Sequence, residues 1–144
     1  MYDFVPKQKV KLEEKIIIPE EKCAILDWKS FLSPERFWIT LAGLLGAFGV
    51  GLAAYGKHGL PKDLPDERRK AYDTANYFHF INVLALIGVT LARRPNISGT
   101  LFTIGMSLFC GTVYVYALTG NEQIIQLTPV GGITMMIAWL SLVF

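Results

Sequence analysis

Four apolar stretches run along the chain at about 37–56, 72–92, 97–118 and 129–144, separated by short polar loops. A helix rises about 1.5 Å per residue, so about 20 apolar residues cross the hydrocarbon core of a bilayer. The first three stretches meet that length. The fourth, 129–144, reaches only about 24 Å against a core of about 30 Å, so thinned membrane or protein neighbours are expected around it. The pattern predicts an all-α polytopic membrane protein. It forms a four-transmembrane-helix bundle over 37–144, preceded by a polar, largely extended N-terminal tail over 1–36.

Local signals mark the helix ends. Ser33-Pro34-Glu35 reads as a helix start with Ser33 as N-cap. Phe37 and Trp38 sit where an interfacial aromatic anchor belongs. Pro65 is expected to open the helix that continues as the second span. Arg93-Arg94-Pro95-Asn96 and Gly120-Asn121 read as turns, and Thr128-Pro129 as another N-cap pair. Ile124 and Ile125 are placed to extend the last apolar length. Four crossings put both chain ends on one side. Lys22, Lys29, Arg36, Arg93 and Arg94 lie on that side; Lys57, Lys62, Arg68, Arg69 and Lys70 lie on the other. The balance leaves orientation open.

Composition sharpens the picture. Of 144 residues, 52% are hydrophobic and 18% charged, the charges collecting in 1–36, in 57–73 and at Arg93-Arg94. A bilayer imposes such segregation, because charge at its centre is expensive. A net charge of +2 is too small to suggest a nucleic-acid partner. Pro6, Pro19 and Pro34 break any long helix in the tail, whose one apolar patch is Ile16-Ile17-Ile18. The tail is too polar to build a core, so it is expected to lie on a partner or on the membrane surface. No signal-peptide pattern opens the chain, and Asp3, Glu13 and Glu14 argue against a cleaved transit peptide. Cys23 and Cys110 fall in the tail and the third span, so no disulfide and no metal spacing is expected.

Small residues mark candidate packing points. Gly43, Ala47 and Gly51 recur at steps of four, as do Ala42 and Gly46, a spacing that lets helix backbones approach. Gly111 and the pair Gly131-Gly132 read the same way, though the pair also suits a hinge or an unwound ion site.

Asn76, His79 and Asn82 form a polar stripe in the second span, three residues apart and expected on one broad face. A histidine at that depth suits a proton relay, a metal or haem ligand, or an interhelical hydrogen bond. With no carboxylate or second histidine beside it, packing is the favoured role, and no cofactor is expected beyond bound phospholipid. Lys57, His58, Arg68, Arg69 and Lys70 suit anionic headgroups such as cardiolipin, or a solvated loop. No nucleophile–base pair, phosphate loop or paired intramembrane carboxylates stand in the sequence. The chain therefore reads as a non-enzyme.

Several short motifs occur in a recognisable order. They are Tyr55-Gly56-Lys57-His58-Gly59, Asp73-Thr74-Ala75-Asn76 with His79-Phe80 and Leu84-Ala85-Leu86, and Gly105-Met106-Ser107-Leu108-Phe109-Cys110. Tyr114, Ala117-Leu118-Thr119-Gly120, Leu127-Thr128-Pro129-Val130-Gly131-Gly132 and Trp139-Leu140 follow. Over about 37–144 the chain resembles the transmembrane protein 256 family, whose bacterial members carry the domain-of-unknown-function 423 label. The resemblance implies four membrane helices and, in animals, a mitochondrial inner-membrane address. It implies no reaction. The family often has a histidine shortly after the His79 position, where this chain has Asn82, so a paired-histidine site is incomplete here.

The expected function is that of a non-catalytic accessory subunit of a mitochondrial inner-membrane respiratory-chain complex, with other membrane subunits and lipids as partners. The alternative is an oligomeric transporter or channel for a small solute or ion, lined by Asn76, His79, Asn82, Ser107 and Thr112. A third possibility makes His79 a cofactor ligand.

Overall fold

The computed structural model describes residues 34–144, so the tail contacts expected of residues 1–33 and the cap at Ser33 lie outside the described residues. Helix α1 spans Pro34–His58, α2 Asp66–Gly88, α3 Pro95–Thr119, α4 Glu122–Ile125 and α5 Thr128–Ser141. A 3-10 turn, Val89–Leu91, extends α2. No strand occurs among the described residues.

Four helical stretches are long and apolar enough to cross a membrane: Arg36–His58, Asp66–Leu91, Pro95–Thr119 and Glu122–Ser141. The fourth differs from expectation. It begins at Glu122, not Pro129, and runs 20 residues, about 30 Å at 1.5 Å each. The turn between α4 and α5 stays hydrogen-bonded, Leu127 N–H to the Ile124 carbonyl at 3.1 Å and Gly131 N–H to the Leu127 carbonyl at 3.3 Å. The predicted shortfall in span length therefore disappears.

The helix ends follow from local chemistry. Pro65 has ψ 139°, so it caps α2 from outside and Asp66 and Glu67 form the acidic first turn, where the helix dipole favours negative charge. Pro95 occupies the start of α3, where its missing N–H costs nothing. Gly120 ends α3 at φ 75°, a left-handed conformation that glycine adopts without a Cβ penalty. The Asn121 side chain accepts from Gln123 N–H at 3.0 Å and caps α4. Thr128 does not cap. Leu127 before it is already helical, and the Thr128 hydroxyl lies 2.7 Å from the Thr112 hydroxyl of α3.

The principal packed pairs are α1 with α2, α2 with α3, and α3 with α5. The two middle spans supply the fully buried Tyr72, Leu86, Val89 and Phe102. The flanking helices bury one face and turn another outward, with Leu44, Phe48 and Val50 of α1 and Ile133, Met136 and Leu140 of α5 exposed. Such faces suit lipid, since the backbone polar groups behind them are satisfied within each helix. Trp38 is not an outward anchor. It is 6% exposed, it donates its indole N–H to Asn96 at 3.2 Å, and its ring lies where Gly99 leaves room. Ser141 donates to the Ser98 hydroxyl at 2.9 Å, so the starts of α1 and α3 and the end of α5 meet at one membrane face.

Candidate functional site: a polar ladder between two grooves

Helix α2 is tied to α1 by side chains that donate to main-chain carbonyls. The Tyr72 hydroxyl donates to Leu52 at 2.7 Å, Asn76 Nδ2 to Gly49 at 3.2 Å, and His79 Nε2 to Leu45 at 3.0 Å. The partners descend α1 as the donors ascend α2, as antiparallel helices require. Glycines make the reach possible. A Cβ on Gly49 would stand 3.3 Å from the His79 ring, and one on Gly56 would stand 2.7 Å from the Tyr72 ring. Asn76 also donates to the Tyr114 hydroxyl of α3 at 3.1 Å, which links three helices through one amide.

The stripe is therefore Tyr72–Asn76–His79, not Asn76–His79–Asn82. Helical geometry explains the correction. At about 100° per residue, steps of four and three bring His79 to within about 20° of Tyr72, whereas two steps of three carry Asn82 about 120° round from Asn76. Asn82 faces the other side of α2 and lines a largely apolar groove of about 330 Å³ with Phe78, Phe109, Met135 and Trp139. Its amide donates to the Phe78 carbonyl at 2.7 Å, and its buried Oδ1 has no partner among the described residues. Tyr72 escaped the sequence reading because an aromatic at a span edge resembles an interfacial anchor. The signal that could have found it is its place seven residues before His79.

His79 lies in a second groove of about 240 Å³ between α1 and α3, together with Ser107, Cys110 and Tyr114. The five polar positions considered as a solute pathway thus do not share one channel. Asn82 opens on the α5 side and His79 on the α1 side, and Thr112 is spent on the Leu108 carbonyl and Thr128. Among the described residues, no group of three His, Cys, Asp or Glu is placed to hold a metal ion.

The small residues divide sharply. Gly131 is buried on α3, and a Cβ there would meet the Phe109 and Leu108 backbone; a Cβ on Gly132 would make only ordinary contact, 3.7 Å from the Phe109 ring. A Cβ on Gly46 would stand 3.5 Å from Val83, in the same row as the fully buried Ala42. Gly43, Ala47 and Gly51 pack against no other described helix. All three are exposed, and nothing lies within 4 Å of a Cβ at Gly43 or Gly51. The row Ala42–Gly46 turns inward, so the row one residue on turns out. Gly111 also has open space before it, because it lines the His79 groove. Sequence reading missed Gly49, Gly99 and Gly105; a Cβ on the last would stand 2.8 Å from the Met135 backbone nitrogen.

The basic loop is partly committed to the fold. Arg68 Nε donates to the Ala117 carbonyl at 2.9 Å, satisfying a free carbonyl at the negative end of α3. Arg69 donates to the Pro61 carbonyl at 2.8 Å. Lys57, His58 and Lys70 are exposed beside them. Of the basic residues considered for headgroup contact, two are thus engaged in holding the loop itself.

Four apolar crossings and an interior tied by interhelical hydrogen bonds define an α-helical integral membrane protein that associates with membrane lipids. The chain belongs to the family described as "Protein of unknown function (DUF423)", whose model matches residues 52–132, and this is the family that its motifs resemble. Its relatives include a UPF0382 membrane protein of Haemophilus influenzae, 33% identical over 112 residues that cover 74% of this chain and 90% of that protein. The UPF0382 membrane protein YwdK of Bacillus subtilis is 30% identical over 115 residues, covering 75% of this chain and 94% of that protein. A Staphylococcus epidermidis relative of the same description is 32% identical over 113 residues, covering 75% and 93%. No solved structure matches the chain.

Proposed function

We propose that the chain is a non-catalytic accessory subunit of a mitochondrial inner-membrane respiratory-chain complex, stabilising assembly by helix packing and by contacts of its N-terminal tail. The observation that carries the reading is the unused row Gly43–Ala47–Gly51 on the outer face of α1. Glycine weakens a helix, and a lipid-facing helix has no need of it. Small residues at steps of four allow a second helix to approach closely, which is how helices associate where lipid is as apolar as they are. Among the described residues nothing lies within 4 Å of a Cβ at Gly43 or Gly51, and Ala47 is exposed, which favours another polypeptide as the partner of that row. About a quarter of the chain lies outside the match to the bacterial relatives, which leaves sequence for a contact they lack. The mitochondrial address rests on the resemblance to animal members of the family, the relatives compared being bacterial. A solute transporter or channel has less support, since the polar positions open on opposite sides of α2.

Native-gel separation of mildly solubilised mitochondria, with the chain located by mass spectrometry, tests the reading. Migration with one large respiratory complex is expected, weakened when residues 1–33 are deleted. Migration as a small separate species overturns it.

A further inference from the structure

The groove between α2 and α5 holds a buried polar atom that the fold leaves unspent. Asn82 is 1% exposed, and its Nδ2 donates to the Phe78 carbonyl of its own helix at 2.7 Å. A carbonyl only accepts, so this contact fixes the amide with Nδ2 towards Phe78 and Oδ1 as the free atom. Among the described residues that Oδ1 has no partner. The other buried polar side chains are engaged: His79 with Leu45, Ser98 with Ser141, Thr112 with Thr128. An unsatisfied polar group is expensive in hydrocarbon, and lipid tails have no donor to offer. The groove walls are largely apolar, which leaves water too few partners to reside there.

The walls around that atom are built on helix spacing. From α5 come Gly132, Met135, Met136 and Trp139, at i, i+3, i+4 and i+7. From α2 come Phe78, Ile81 and Asn82, at i, i+3 and i+4. The groove therefore runs along both helices, for about 10 Å or two turns from Gly132 to Trp139. Both helices pack on α3, whose Phe109 also lines the groove. A groove of that direction accepts another helix, which enters with its own i, i+3, i+4 and i+7 side chains. Its composition is that of a protein contact. Aromatic and Met residues are enriched where proteins meet, and here they are Phe78, Phe109, Met135, Met136 and Trp139. Met135 and Met136 are unbranched and repack at small cost, which opens a way for a donor to the buried Oδ1. Phe78 is at the centre of Asp66–Leu91 and Asn82 about 6 Å beyond it, so the donor belongs to a membrane-embedded segment. An uncharged donor fits, because no acid lines the groove to balance a cation.

We infer that the groove between α2 and α5 docks one transmembrane helix of another polypeptide. That helix lays apolar side chains against Phe78, Phe109 and Trp139 and sets an uncharged donor, a hydroxyl or an amide, on Asn82 Oδ1. This surface is separate from the Gly43–Ala47–Gly51 row and does not rest on the accessory-subunit reading.

The test places a photoreactive amino acid at Ile81, inside the groove, in the full-length chain in intact membranes of the cells that make it. One protein adduct is expected, attached within an apolar transmembrane segment and within one turn of a Ser, Thr, Asn or Gln. The same group at Leu84, exposed on the opposite side of α2, should give lipid adducts. Asn82→Leu should lower the adduct yield at least fivefold, yet leave the purified chain as resistant to unfolding as before or more so, since it removes an unsatisfied acceptor. Gly132→Leu keeps Asn82 and fills the groove from the α5 side, where a Cβ makes only ordinary contact, and should lower the yield as far. Adducts at Ile81 with lipid alone, a hydroxylated lipid included, or with a second copy of this chain overturn the inference. So does a yield that Asn82→Leu leaves unchanged, or easier unfolding of the purified Asn82→Leu chain, which would make Asn82 a support of its own fold. A protein adduct at Ala47 without one at Ile81 removes this inference alone; the reverse leaves it standing while the reading from α1 fails.

Discussion

Helices α1 and α2 are held by hydrogen bonds to main-chain carbonyls, whereas α3 and α5 are held by close contact of backbones. In the first pair Tyr72, Asn76 and His79 reach across to Leu52, Gly49 and Leu45. In the second, Gly105 lies on the Met135 backbone and Gly131 on the Phe109 backbone, with Ser98–Ser141 and Thr112–Thr128 hydrogen bonds alongside. Both solve the same problem. Water drives no association between helices inside a bilayer, so packing and polar contacts must supply it. The solutions differ in tolerance. A carbonyl can do without a side-chain donor because its own helix already satisfies it, but a backbone cannot yield to an added carbon.

The largest effect is therefore expected at the α3–α5 contact. Gly131→Val places carbon against the Phe109 and Leu108 backbone, and it should cost about 3 kcal/mol in an SDS titration from mixed micelles. A loss below about 0.5 kcal/mol would mean that α5 does not pack as described. Next come the ladder residues. Asn76→Ala removes bonds to Gly49 and Tyr114 together and should cost about 1.5 kcal/mol by the same titration. Tyr72→Phe removes only the bond to Leu52 and should cost about 0.6 kcal/mol. If Tyr72→Phe proved the more damaging of the two, the three-helix role of Asn76 would be wrong.

Arg68 offers a smaller test outside the membrane. Arg68→Ala leaves the end of α3 without its cation and should cost about 0.5–1 kcal/mol, with high salt narrowing the difference. The smallest effect on the fold is expected where the small residues face outward. Gly43→Ala together with Gly51→Ala should not destabilise the fold, because neither Cβ meets anything among the described residues and alanine favours the helix at both positions. A clear destabilisation would place those positions inside the protein.

The same contrast explains what was legible beforehand. Hydropathy located all four spans, since a bilayer demands continuous apolar length. It misjudged the fourth because Glu122 and Gln123 look like loop while continuing the helix. Spacing identified a small-residue row and a polar stripe on the correct helices, yet could not choose between faces one residue apart. Ala42–Gly46 and Gly43–Ala47–Gly51 look alike in sequence, and only the position of α2 decides which is inside. The groove at His79 was not legible at all. It exists because α1 meets α3 at Trp38 and Asn96 but leaves space farther along, a property of the assembled helices.

The outer face of α1 carries the central claim, and photocrosslinking reads it directly. A photoreactive amino acid at Ala47, in the full-length chain in intact mitochondria, should give one heavier adduct containing a single respiratory-chain subunit. The same group at Ile104, an outward position on α3, should give lipid adducts alone. Lipid adducts alone at Ala47, or a crosslink only to a second copy of this chain, would contradict the account.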